Sequence, residues 1–280
     1  MPDQDDLDSA LQDRILEESK ARTEEMKSLL DAYGEEAVLA RIDGLFQRAE
    51  SGQDIIEAHV LLMTLGEVSD RPDIVSYSTE RVMDQAVRDG RSGLAAFSMG
   101  IAAENRAEQG RHNEAVALFL ECAAAFHRFE EDPSEFDQDR PVIEAMITKI
   151  LNEQITVYCH TVAKNESAAQ EAIAALEEKV GKLEYHQQEQ AARGMLIMLY
   201  SGLDKTEEAV GHARALEEAS LERSDIVAAA NIAFAIVHIS HASDSGTAQE
   251  ACDRLRNYCE QLPNLGNAGA LLEEAEQMLL

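Results

Sequence analysis

Residues 142–262 contain no proline. A stretch of that length without a residue that blocks helix continuation points to long helices, not to a Greek key or to βα alternation. The apolar spacing agrees. Ile173, Leu176, Val180 and Leu183 step by 3, 4 and 3, as do Val116, Phe119, Ala123 and Phe126. Ala209, Ala213 and Leu216 step by 4 and 3, and Leu7, Leu11 and Ile15 by 4. No segment alternates polar and apolar residues long enough to read as a strand.

Punctuation divides the pattern. Gly34, Gly52, Gly90, Gly110, Gly202 and Gly246 each follow a helical run and read as C-terminal caps. Pro72, Pro133, Pro141 and Pro263 fall at helix starts or in turns. The expected helices are 5–31, 35–51, 53–66, 72–89, 92–109, 112–129, 141–163, 166–182, 185–201, 205–220, 223–242, 247–261 and 266–279. Short connections make consecutive helices antiparallel neighbours. Residues 1–12 are expected to fray and residues 13–280 to form a single helical-repeat domain. The acidic loop Glu130–Asp139 divides its halves without reading as an interdomain linker.

The second helix of each pair carries a repeated signature. Gly110-Arg-His-Asn-Glu114-Ala115 leads to Phe119 and Cys122. Gly202-Leu-Asp-Lys-Thr-Glu-Glu208-Ala209 leads to Ala213 and Leu216, and Gly246-Thr-Ala-Gln-Glu250-Ala251 to Leu255, Tyr258 and Pro263. Glu171-Ala172 continues to Leu176. The intervals from Ala172 to Ala209 and from Ala209 to Ala251 suit one helical hairpin each; that from Ala115 to Ala172 is longer. A small side chain there admits the paired helix, and the residues at +4 and +7 extend the same face.

This pattern resembles the tetratricopeptide repeat family over residues 92–263, most fully in the segment that ends at Pro263. The resemblance implies an all-α solenoid of antiparallel hairpins whose first helices line a concave binding face. With 92–109 and 185–201 as first helices, it places Phe97, Glu104, Asn105, Gln188 and Met195 toward that face. The Lys and Asn cluster with which chaperone-tail-binding relatives hold a terminal carboxylate is missing. An acidic face suits a basic or amphipathic protein segment instead.

Charge narrows the partners. Lys plus Arg is 24 and Asp plus Glu is 54, a net charge of −30. Such a surface repels phosphate backbones, so no nucleic-acid partner is expected. Apolar residues at 45% supply a core, which excludes a disordered chain. The acids are spread along the whole chain, which favours salt adaptation over an acidic patch made for one partner. The N-terminal segment Met1–Asp8 has neither a basic nor an apolar run, and the longest apolar stretch, Ile226–Ile239, is too short for a bilayer. A cytoplasmic location with no membrane contact is therefore expected.

Catalytic and metal candidates are sparse. His238 and His241 stand three apart, with Asp244 three further on, and could face a transition metal from one helix. Their positions near a helix C-terminus suit the dipole equally well. The loop 130–139 holds six acids but fails the EF-hand pattern, and Asp5-Asp6-Leu7-Asp8 has no partner cluster. Cys159 and His160 are adjacent, so on a helix they diverge by about 100°. Cys122, Cys159, Cys252 and Cys259 read as reduced packing thiols. No phosphate-binding glycine loop and no nucleophile elbow is present. The sequence thus points to a non-catalytic protein-interaction module without a cofactor. A ligand-sensing regulatory solenoid is the alternative, and a helical metalloenzyme using His238 and His241 a more distant one.

Overall fold

A computed structural model describes residues 20–132, 140–262 and 266–280. The described residues are helical throughout, with no strand among them. Residues 20–33 form α1. There follow α2 (Glu35–Arg48), α3 (Gly52–Val68), α4 (Pro72–Arg88), α5 (Ser92–Glu108), α6 (His112–Glu131) and α7 (Arg140–Lys149). A π turn occupies Ile150–Gln154. Then come α8 (Ile155–Val162), α9 (Glu166–Lys179), α10 (His186–Gly202), α11 (Thr206–Glu222), α12 (Ile226–Ser240), α13 (Ser245–Gln261) and α14 (Gly266–Met278). The expectations for residues 1–12, for Asp5–Asp8, for Pro133, for Pro263 and for most of the acidic loop lie outside the described residues.

The chain divides into two compact units, Met1–Gln154 and Ile155–Leu280. The break falls inside the stretch 13–280, which reads as one repeat domain in the sequence. In both units, helices adjacent in sequence pack on one another, an arrangement compatible with a helical repeat.

A regular step underlies the packing. Helices α3 to α6 start at the evenly spaced positions Gly52, Pro72, Ser92 and His112. Helices α10, α11 and α12 start at His186, Thr206 and Ile226 with the same interval. Helices α3, α4, α5, α10 and α11 are each 17 residues long. A short connection, such as 69–71 or 203–205, completes each step. At these junctions the amide of the third connecting residue bonds the carbonyl five positions back, as Arg91 does to Ala86 and Lys205 to Tyr200. The residue before it is left-handed. Gly90 (φ 69°) and Gly110 (φ 72°) take that place after α4 and α5, and Gly34 (φ 78°) ends α1. After α3, α10 and α11 the left-handed residues are Asp70, Asp204 and Ser224.

Three expected cap glycines lie inside helices instead. Gly52 opens α3, Gly202 closes α10 and Gly246 is in the first turn of α13. Gly202 is small for a packing reason: a Cβ there would stand 2.5 Å from the Cβ of Ala163. Three helix starts are fixed by side chains. Ser51 and Asp54 form a reciprocal box at α3, Asn165 accepts from Ala168 at α9, and Asp225 accepts from Ala228 at α12.

The signature alanines are all at the closest contacts. Ala115, Ala172, Ala209 and Ala251 have no exposed surface. In the first unit Val116, Phe119, Leu120 and Phe129 of α6 are buried. Gly93 faces Phe129 and Ile143, and Gly100 faces Ile150. Both partners advance by seven in the same sense, so α5 runs parallel to α7 and the π turn. In the second unit Val210, Ala213, Ala229, Ala233, Ile236, Val237, Ala251, Cys252, Leu255 and Tyr258 form one cluster.

Candidate functional site

A concavity in the first unit lies over α5, between α4 and α6. It consists of two joined clefts of about 390 and 400 Å³ that share Arg81, Met83 and Asp84. The first is closed by Glu80 of α4, Ala102 and Arg106 of α5, and Glu114, Ala117 and Leu118 of α6. The second is completed by Val87, Arg88 and Met99. The sequence puts these side chains together by helical spacing. Glu80, Asp84 and Val87 step by 4 and 3 on α4, while Met99, Ala102 and Arg106 step by 3 and 4 on α5.

The floor is apolar and the walls are charged. Arg106 is largely buried and pairs with Glu80 on one side and with Glu114 at 3.4 Å on the other. One guanidinium thereby ties three successive helices. Arg111 also holds Glu114, at 2.5 Å. Arg81 pairs with Asp84 at 3.2 Å and lies over the ring of Tyr77, 5.2 Å from its centroid. Behind Tyr77 sits His59, buried between the rings of Tyr77 and Phe46. Burial, and then the nearby Arg81, hold the imidazole below its usual protonation range.

That arrangement has a pH consequence. The folded chain resists protonation of His59, whereas the unfolded chain accepts a proton near the ordinary value of 6.5. The stabilisation is therefore complete above pH 6.5 and is lost as pH falls toward the lower folded value. Unfolding in urea at pH 7.5 and 5.5 should show wild type losing more stability on acidification than His59→Phe. The difference should not exceed about 1.4 kcal/mol per pH unit. Glu67 and Glu104, both raised mainly by partial loss of hydration, titrate in the two proteins alike and cancel. Equal pH dependence in the two proteins would contradict the assignment.

The residues singled out by the resemblance are placed as follows. Phe97, Glu104 and Asn105 are on α5 in the first unit; Gln188 and Met195 are on α10 in the second. Phe97 and Glu104 share the α5 face that carries Gly93 and Gly100 toward α7. Met99, Ala102 and Arg106 are each two positions away, about 160° around the helix. The groove thus opens on the opposite side of α5. Glu104 is exposed, and Asn105 is half-buried with no hydrogen-bond partner for its Nδ2 among the described residues. Gln188 is buried and its Oε1 accepts from the Tyr185 amide at the start of α10. Met195 is fully buried, and its carbonyl is 3.9 Å from Cys159 Sγ.

The second unit is rich in polar bridges between helices two apart. Glu217 of α11, almost wholly buried, accepts from Arg254 Nε at 2.8 Å and Nη2 at 3.1 Å, and from Tyr258 Oη at 2.9 Å. Burial and the bond to Glu217 push the Tyr258 hydroxyl up to about 12. Arg214 pairs with Glu250 in the same register at 3.6 Å. Glu177 of α9 accepts from Tyr200 Oη at 3.1 Å and contacts His212 Nε2 at 3.0 Å, while Arg193 stands 3.4 Å from His212 Nδ1. Arg193 can only donate, so Nδ1 accepts and Nε2 carries the proton toward Glu177. These residues meet as ties across α10 and α12.

His238 and His241 are exposed, with ring centroids 5.9 Å apart. His241 Nδ1 is 2.7 Å from the His238 carbonyl, and Asp244 accepts from Thr247 N and Oγ1 at the start of α13. Among the described residues no three His, Cys, Asp or Glu side chains converge on one point. The four cysteines are free thiols; burial pushes Cys122 up to about 12 and raises the others. No described helix is long and apolar enough to cross a membrane.

Sequence reasoning missed the groove. Its signal is the recurrence of a left-handed Gly or Asp followed by Arg or Lys: Asp70-Arg71, Gly90-Arg91, Gly110-Arg111 and Asp204-Lys205. That repeat fixes the helix register and hence which side chains face outward together. No family model matches this chain, and no curated protein is significantly similar to it.

Proposed function

We propose that the protein is a non-catalytic interaction module that holds a segment of another protein on its helical surface. The observation that carries this reading is the groove over α5: an apolar floor of Met83, Met99, Ala102 and Leu118 between charged walls, open to solvent. Val87 at its rim is 55% exposed. Stacked helical hairpins commonly serve as binding scaffolds, and methionines line surfaces that adapt to a partner. The all-helical fold, the packing of successive helices and the buried signature alanines support the likeness to the tetratricopeptide repeat family. The observed spacing is longer, since two steps between helix starts, as from Gly52 to Ser92, exceed that family's period of about 34.

The test compares wild type with Val87→Lys, an exposed substitution that leaves the core untouched. Both are used to recover partners from native lysate at the cell's own ionic strength. A defined partner held by wild type is expected to fall at least tenfold with Val87→Lys. Hydrogen exchange should show the wild-type complex protected over residues 80–106. Recovery that is equal for the two proteins, or protection that lies elsewhere, would refute the groove as the binding site.

A further inference from the structure

We infer that the groove's occupant is an acidic amphipathic helix of a partner protein, held by its apolar face on Met83, Val87 and Met99 and by its carboxylates on Arg88 and Arg81. This rests on the binding role proposed above and names the chemistry of the partner. It departs from the basic segment that the net charge of −30 suggests, because the second cleft, taken by itself, carries the opposite sign.

The second cleft is lined by two arginines and one carboxylate, Asp84. Arg88 spends only its Nε, which donates to the Asp84 carbonyl of its own helix at 3.1 Å. Among the described residues no carboxylate pairs with it. That is notable in a chain with more than twice as many acids as bases. Arg81 divides itself between the exposed Asp84 carboxylate and the Tyr77 ring, so it too keeps donors facing solvent. Arg106, by contrast, is already paired with two carboxylates, Glu80 through Nη2 and Glu114 through Nε. The available positive charge is therefore confined to the α4 wall.

The spacing suits a helix. Arg81 and Arg88 are seven positions apart, about 10 Å along α4. Met83 and Val87 lie between them on one face, with Met99 below. A docked helix with apolar residues at i, i+3 or i+4 and i+7 fills this floor, while flanking Asp or Glu reach the two guanidinium groups. A basic helix would meet two cations for one anion and leave Arg88 unpaired. The repulsion of an acidic partner by the rest of the surface is short-ranged, because the screening length is about 8 Å at 0.15 M salt.

The experiment selects random displayed peptides, long enough for four helical turns, on the full chain in 0.15 M potassium chloride, with counter-selection on Val87→Lys. Enriched peptides should combine apolar residues at helical spacing with Asp or Glu, and Arg88→Glu should weaken the best of them at least tenfold. Circular dichroism checks that both variants keep the wild-type fold. Groove-dependent peptides that are basic or uncharged would overturn this inference and leave the binding role standing. Absence of any groove-dependent peptide would overturn both. Self-association of wild type that Val87→Lys abolishes would make the occupant a second copy of the chain, and would also overturn the inference.

Discussion

Replacing Arg254 by methionine should destabilise the second unit by about 3 kcal/mol. The carboxylate of Glu217 is 5% exposed and takes both of its charge-assisted bonds from this guanidinium. Removing the cation leaves Tyr258 as its remaining donor. Loss of one partner from a buried ion pair costs about 3–5 kcal/mol. The lower end applies because Arg254 is 32% exposed, which lets water reach the gap. Urea unfolding followed by circular dichroism gives the total, and hydrogen exchange assigns it to α11–α13. Replacing both partners, Glu217→Leu with Arg254→Met, should recover most of the loss, because no charge then remains buried. A single variant within about 1 kcal/mol of wild type, far short of the usual cost of breaking such a pair, would show that the bridge is dispensable.

The first unit has its own sensitive point. Phe119 has no exposed surface, and it follows Ala115 by one helical turn on the face of α6 that meets α5. Phe119→Ala removes a ring from a fully buried site. The cost should be about 3–5 kcal/mol. The same unfolding measurement reports it, with exchange accelerated in α5 and α6. A loss below about 2 kcal/mol, less than large-to-small core substitutions of this kind cost, would mean that the helices close over the cavity.

The two effects differ in how far the sequence announces them. Phe119 is legible, because it stands four positions after the alanine of the repeated signature. The ends of most helices are legible too, since proline, glycine and apolar spacing act over short distances along the chain. The Glu217 bridge is not, because its partners are 37 and 41 positions away in a chain where acids are everywhere. The even step between helix starts is also hidden. Three of the left-handed junctions use aspartate or serine, which the acidic background masks, and three glycines serve other ends. The π turn at Ile150–Gln154 leaves no mark in the apolar spacing of 140–163.

For the groove, the spacing of α5 marks a helix with two distinct faces, but periodicity does not say which face a neighbour covers. Phe97 and Glu104 lie toward α7, and the open side is that of Met99 and Arg106. Net charge is a poor guide to local charge for a similar reason. The average over 280 residues conceals a cleft lined by two arginines and one carboxylate.

The Glu217 bridge also bears on how the chain could be rearranged. It fastens α13 to α11 without using the main chain that runs between them through α12. A cut between Ser240 and Ser245 would remove covalent continuity there and leave the fastening intact. The turn before α13 is thus a natural place for new chain ends, whether in a circularly permuted form or in a protein reassembled from two fragments.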